Sequence, residues 1–326
     1  MAIGCLSSMS VMAESSVNLI PKVNGTLRTR YEWVPEDDEM RFQVRNARVG
    51  LTGFVCPIVD YKAEVELCDR GKMKCLDVWG RVALSNNFKV QLGNMRVPFT
   101  LGSSVAPHNY IFANRPTTDK QMGSPRNVGV KFIATPFEKL SIEGGAFNST
   151  SNTDQTVWQD KMAAAAKARL TIGDVQMLVG YETLAPYEVR MNHAAFGAVW
   201  KSGRWHAEGE YVYRHYTNGR ADDAHAYEVT GNYAMPVKAG VFNNLSFQGR
   251  FDGITDNSNG LANADGVLTV TDPAFNRISV GSTISYVHSA VRTDFRVNYE
   301  HYMYHSGAVA PLDARSKIVA ELVVRF

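Results

Sequence analysis

The sequence predicts an all-β fold: one closed antiparallel transmembrane β-barrel of about 16 strands, formed by residues 14–326. Three observations predict it. Apolar and polar residues alternate with a period of two along most of the chain. Tight polar turns interleave with much longer loops. The chain also stops on an alternating strand, Lys317-Ile318-Val319-Ala320-Glu321-Leu322-Val323-Val324-Arg325-Phe326.

The first strand sets the pattern. Val23, Leu27, Tyr31 and Trp33 share one face, and Asn24, Arg28, Arg30 and Glu32 share the other. Next, Ala47, Val49, Leu51 and Val55 oppose Asn46, Arg48 and Thr52. Then Tyr61, Ala63, Val65 and Leu67 oppose Asp60, Lys62, Glu64 and Glu66, and Leu76, Val78, Val82 and Leu84 oppose Asp77, Trp79 and Arg81. Segment 160–169 is alanine-rich and suits a helix or a strand. Trp205, Ala207, Tyr211 and Tyr213 alternate with His206, Glu208, Glu210 and Arg214. Leu245, Phe247 and Phe251 alternate with Ser246, Gln248, Arg250 and Asp252; Val291, Phe295, Val297 and Tyr299 alternate with Arg292, Asp294, Arg296, Asn298 and Glu300.

Alternation alone leaves a soluble sandwich open, because its strands also have two faces. The connections favour the barrel. Ser85-Asn86-Asn87, Thr135-Pro136 and Ser202-Gly203-Arg204 read as tight turns, whereas 98–124, 149–159 and 254–273 read as long loops. Short turns at one rim and long loops at the other describe a transmembrane meander. Aromatics gather near strand ends, which fits interfacial girdles and equally fits plain β-propensity. The C-terminal Phe326 reads as the signal for the outer-membrane barrel assembly machinery.

Composition narrows the function classes. No run approaches the ~18 apolar residues of a membrane-crossing helix, and only a closed barrel otherwise satisfies its backbone in lipid. The formal net charge is +2, with 34 basic and 32 acidic residues interleaved, so no nucleic-acid partner is expected. Residues 1–13 read as a signal peptide remnant, with a small-residue cleavage site at Val11-Met12-Ala13; a disordered start is the alternative. The expected location is the bacterial outer membrane, with its lipid as a partner.

No GxSxG elbow, HExxH or GxxxxGK loop is present, so an enzyme is not expected. His301 and His305 share a strand face but stand ~13 Å apart, too far for one zinc ion. Neither a metal nor another cofactor is expected. Asp256-Asn257-Ser258-Asn259-Gly260 lacks the Glu of a calcium loop and reads as a solvated loop. Cys68 and Cys75 flank the tip of a hairpin; a disulfide between them and two free thiols are both open.

Arg45-Asn46-Ala47-Arg48-Val49-Gly50-Leu51-Thr52-Gly53 resembles an early strand of the phosphate-selective porins of the O and P type. Phe88-Lys89-Val90-Gln91-Leu92-Gly93 with Val97-Pro98-Phe99, then Arg126-Asn127-Val128-Gly129-Val130 and Gly145-Ala146-Phe147-Asn148, resemble that family's following segments in order. The resemblance covers roughly residues 41–148. It implies a sixteen-stranded porin, a homotrimer, whose third loop enters the pore, and an anion pathway lined by arginines. Asn46 departs from the family's second arginine.

The expected function is passive diffusion of small hydrophilic or anionic solutes through an outer-membrane porin with modest anion preference. The expected pore-lining residues are Arg28, Arg48, Glu64, Arg81, Lys131, Lys167 and Arg169 on the wall, with Arg115, Asp119 and Lys120 on the third loop. Equally, such charges would keep a lumen wet and pair across strands. A plugged barrel acting as a binding or scaffold protein and an outer-membrane enzyme are the competing readings. An enzyme would need an outward Ser–His pair, and His288-Ser289 and His305-Ser306 are sequence neighbours that cannot pair across a strand.

Overall fold

Each alternating segment becomes a strand that pairs with its neighbours in the chain, and the last strand pairs with the first. The computed structural model describes residues 17–123, 126–150, 155–219, 221–305 and 310–326. The signal segment 1–13, Ser124 at the end of the third loop, residues 151–154 of the 149–159 loop and Ser306 lie outside the described residues.

The strands are β1 Lys22–Val34, β2 Glu39–Cys56, β3 Val59–Asp69, β4 Lys72–Ser85, β5 Phe88–Met95, β6 Asn127–Phe137, β7 Leu140–Asn148 and β8 Met162–Ile172. They continue as β9 Val175–Leu184, β10 Met191–Ser202, β11 Trp205–Tyr216 and β12 Ala224–Ala239. The set ends with β13 Phe242–Ile254, β14 Phe275–His288, β15 Val291–Tyr304 and β16 Lys317–Arg325. One short helix, α1 Thr117–Lys120, lies in the β5–β6 connection. The ring is a closed 16-strand antiparallel barrel. Its seam runs in continuous register from Thr26 opposite Arg325 to Trp33 opposite Ile318. Closure leaves no strand edge unpaired.

One rim carries only two-residue turns, at 57–58, 86–87, 138–139, 173–174, 203–204, 240–241 and 289–290. The expected turn at Thr135-Pro136 falls three residues later, at 138–139, because Pro136 is accommodated at a register shift inside β6. Gly173, Gly203 and Gly240 open their turns with positive φ, and Ser289 adopts the same conformation at φ 56°. The long connections gather at the opposite rim.

The outward face is apolar. Leu27, Val49, Phe247 and Phe295 are exposed, while Val65 and Val82 are half-exposed on the same wall. Outward aromatics collect towards both rims, with Trp205 against Tyr233 and Phe88 against Phe132 near the turns, and Tyr31 against Phe42 near the loops. The alanine-rich segment is the strand β8, with Ala163 and Ala165 buried.

Of the two readings left open for Cys68 and Cys75, the bridge does not form; Cys56, Cys68 and Cys75 are free thiols. Between Ala63 and Val65 the β3–β4 register shifts, so that Ala63 faces Val78 and Val65 faces Cys75. The extra residue in β4 turns Cys75 to the apolar outer wall beside Val49, Val65 and Met73. Cys68 stays at the hairpin tip, where its Sγ accepts a hydrogen bond from the Gly71 N–H at 3.3 Å.

A second departure concerns the inner face. Near the long-loop rim, β9–β12 turn apolar residues inward, and Ala195, Val212, Ala224 and Ala226 form a buried cluster with Phe99 and Met122 of the β5–β6 connection. A strictly polar inner face would leave those loop side chains in water; the small residues let the connection pack against the wall.

Candidate functional site

The β5–β6 connection, residues 96–126, reaches strands far from its own roots. Near its start, a Cβ added at Gly180 would meet the Phe99 carbonyl oxygen at 2.3 Å, and one at Gly197 would meet Leu101 at 2.9 Å. The missing side chains on β9 and β10 therefore admit the loop to the inner wall. The Leu101 N–H donates to Glu210 Oε1 on β11 at 2.6 Å. Further along, Arg28 and Arg30 of β1 donate to the Ala113 carbonyl at 2.7 and 2.9 Å. Arg296 of β15 donates to the carbonyls of Tyr110 and Phe112, Arg250 of β13 to that of Asn114, and Arg277 of β14 to that of Arg115. At α1 the Thr117 N–H donates to Asp252 Oδ2 at 2.9 Å, and Thr117 Oγ1 donates to the Gly253 carbonyl.

These arginines are buried, so each needs counter-charge. Arg28 and Arg30 share Glu321 at 2.8 and 2.6 Å. Arg277 meets Asp252 at 2.6 Å and Glu300 at 3.5 Å, and Arg250 lies 3.4 Å from Asp252 with its guanidinium over Phe112. Arg296 is bracketed by Asp294 at 3.4 Å and Glu321 at 3.6 Å. The result is a belt of alternating guanidinium and carboxylate groups along β13–β16 and β1. It holds the loop through guanidinium N–H groups left over after the carboxylates are satisfied.

Two chambers flank the loop. The larger, of about 600 Å³, is lined by six cationic side chains (Arg115, Arg169, Lys201, Arg250, Arg292 and Arg296) against three carboxylates (Asp119, Glu208 and Glu228). The smaller, of about 390 Å³, has Lys62, Arg81, Arg96, Lys131, Lys167 and Arg169 against Asp77 and Glu143. Arg169 and Ser104 border both.

The expected pore-lining residues divide accordingly. Arg81, Arg115, Asp119, Lys131, Lys167 and Arg169 line a chamber. Arg28, Arg48, Glu64 and Lys120 line neither. Arg28 is 2% exposed, sealed behind the Ala113 carbonyl and locked to Glu321 and Asn46. Arg48 is bound to Glu66 at 2.5 Å with Glu64 at 3.7 Å, and Glu64 itself is held by Lys62 at 2.5 Å. Lys120 is exposed on α1. Arg28, Arg48 and Arg81 therefore do not form one open basic wall, since Arg81 too is held, by Asp60.

Arg30, Arg250, Arg277, Arg296, Asp252, Glu300 and Glu321, which organise the loop, were not singled out from the sequence as site residues. Their signal is charge at successive inward positions on β1 (Arg28, Arg30, Glu32), β13 (Arg250, Asp252) and β15 (Arg292, Asp294, Arg296), whereas Arg277 and Glu321 stand between uncharged residues of their face. On the loop, burial and then the positive charges of Arg325 and Arg48 push His108 down to about 4; its Nδ1 lies 2.8 Å from Thr26 Oγ1. His301 and His305, weighed above as a metal pair, have separate partners: Ser316 Oγ lies 3.2 Å from His301 Nδ1, and Asn276 lies 3.0 Å from His305 Nε2.

No family model matches the chain, and no curated protein matches it. Solved structures resemble it over nearly its full length. The anion-selective porin from Comamonas acidovorans aligns with a TM-score of 0.65 at 12% identity, covering 94% of this chain and 98% of that one. OmpF of Salmonella typhi, solved in complex with daunomycin, aligns with a TM-score of 0.65 at 10% identity, over 94% and 97% of the two chains. OmpT, an outer membrane protein of Vibrio cholerae, gives a TM-score of 0.61 at 16% identity, over 94% and 96%. The fold is therefore that of the outer-membrane porin barrels.

Proposed function

We propose that this protein is a porin of the bacterial outer membrane that passes small hydrophilic solutes by diffusion, with a modest preference for anions. The observation that carries the reading is the charged, chambered interior of a closed barrel whose outer wall is apolar. The larger chamber presents six Lys and Arg side chains to three carboxylates, a formal excess of three positive charges from these groups. A low-dielectric wall bearing excess positive charge raises the local concentration of anions. The loop contacts with β1, β11 and β13–β15 support a third loop that narrows the passage from within.

The site chemistry weakens the finer implication of the motif resemblance to the phosphate-selective porins. Asn46 occupies the second arginine position of the motif and is itself engaged, accepting from Arg28 and donating to Glu66. A tight phosphate site is not part of the proposal. Phe326 acting as the assembly signal and a homotrimeric state belong to the same reading.

The test is conductance of the purified, folded protein in planar bilayers, with the reversal potential read across a salt gradient. Ohmic single-channel steps and a reversal potential displaced towards that of chloride are expected. Absence of conductance would leave a plugged scaffold barrel, and a displacement towards the cation potential would refute the anion preference.

A further inference from the structure

Several cations of the inner wall sit beside carboxylates. Lys62 pairs with Asp77 at 2.6 Å, Lys131 with Glu143 at 3.1 Å, and Arg126 with Asp77 at 2.7 Å. At the root of the third loop this pattern breaks. Lys167 on β8 is 3% exposed, and its Nζ meets only the hydroxyls of Ser103 at 3.1 Å and Ser104 at 2.6 Å. Arg169, two residues on and on the same face, donates to Ser104 Oγ at 2.9 Å. Arg96, at the start of the loop, gives its guanidinium to the carbonyls of Ser103 at 3.3 Å and Val105 at 2.5 Å. None of the three has a carboxylate within salt-bridge distance among the described residues. Glu143 stands opposite Lys167 in register and its charge reaches the ammonium through space, but it lies beyond salt-bridge distance and its hydrogen bond comes from Lys131.

A buried ammonium without a counter-ion is costly, and hydroxyl oxygens compensate it only in part. Three cations converging on one pair of serines, at the border of two chambers, leave a deficit of negative charge there. The Ser103 hydroxyl donates to the Thr100 carbonyl at 2.7 Å, whereas the Ser104 hydroxyl, accepting from Lys167 and Arg169, keeps its own O–H available as a donor.

Resting on the anion-passing function proposed above, we propose that Lys167, Arg169, Arg96 and the Ser104 hydroxyl form a transient binding site for a small monocarboxylate at the junction of the chambers. The guanidinium of Arg169 offers the fork that matches two carboxylate oxygens. Desolvation favours a monoanion, because its cost grows with the square of the charge while the attraction of the site grows only in proportion. Glu143 and Asp77 on the same chamber also oppose a second negative charge. The site is weak by design of its surroundings, since conduction requires that the solute also leave.

The experiment measures chloride current through the folded channel while acetate, or inorganic phosphate in a parallel arm at pH 8, is added at constant ionic strength. Acetate is expected to reduce the chloride current saturably and at lower concentration than phosphate. Lys167→Met is expected to raise the half-blocking acetate concentration by about tenfold, the loss of a charge-assisted contact. Arg169→Lys keeps the charge, loses the fork, and is expected to weaken the block in the same direction. Ser104→Ala provides a milder perturbation should Lys167→Met fold poorly, which heat-modifiable gel mobility reports. A current that follows acetate linearly without saturation, an equal or stronger block by phosphate, or a half-blocking concentration unchanged in the variants would overturn the site. A channel passing no chloride at all would instead defeat the function on which it rests.

Discussion

Asp252 is the residue whose removal tests how the third loop is held. It is fully buried on β13 and accepts from the Thr117 N–H at 2.9 Å and from Arg277 Nε and Nη2 at 3.0 and 2.6 Å, with Arg250 Nε at 3.4 Å. Asp252→Ala removes the loop's anchor at α1 and leaves two buried guanidinium groups short of charge. Breaking such a buried pair from one side costs about 3–5 kcal/mol. Glu300 stays 3.5 Å from Arg277 and 4.0 Å from Arg250, which retains part of the compensation and sets the expectation near the lower bound. The loss falls first on the loop, because Arg277 and Arg250 also donate to the carbonyls of Arg115 and Asn114. The strand ladder does not depend on these contacts. Single-channel recording is expected to show larger or noisier openings, and limited proteolysis to cut within 96–123 faster than in the wild type. Because the pair is buried, 1 M salt should not reproduce the effect. Wild-type conductance, noise and protease resistance in Asp252→Ala would refute the anchoring argument.

Three further outcomes follow from local geometry. A Cβ at Gly145 on β7 would meet the Val130 carbonyl oxygen of β6 at 2.1 Å, a backbone atom of the strand ladder that cannot move aside, so Gly145→Ala is expected to cost about 1–3 kcal/mol, read as a lower urea midpoint. Ser289 holds φ 56° where three equivalent turns have glycine, so Ser289→Gly is expected to stabilise by about 1 kcal/mol, read the same way. His108 titrates near 4 in the folded protein and near 6.5 unfolded, so the unfolded chain binds the proton more readily between those values. Its contribution is fully present above pH 6.5 and is lost as pH falls towards 4. His108→Asn should flatten the pH dependence of the urea midpoint in that window; an unchanged slope would count against the assigned burial.

Much of the architecture was legible because it is local. Period-two alternation assigns Leu27, Val49, Phe247 and Phe295 to one face and Arg28, Arg250 and Arg296 to the other without knowledge of any partner. Turn residues such as Gly203-Arg204 mark one rim, and the length of the 98–124 loop marks the other. Those facts determine a many-stranded meander with a charged face and an apolar face. They do not determine which charges remain available. Arg28 meets Glu321, 293 residues away, only because the barrel closes β1 on β16. That closure, with the reach of the loop carbonyls, consumes Arg28, while Lys167 and Arg169, equally basic on paper, are left facing serines. Likewise, Cys68 and Cys75 read as a hairpin pair until one extra residue in β4 turns Cys75 outward. The apolar patch on β9–β12 was missed because Ala195, Val212, Ala224 and Ala226 acquire meaning only when Phe99 and Met122 arrive from a distant loop. The sequence by itself determined the faces, since side-chain direction is a property of the single strand. Tertiary structure decided the pairing, since register, closure and loop placement are fixed by contacts between segments far apart in the chain.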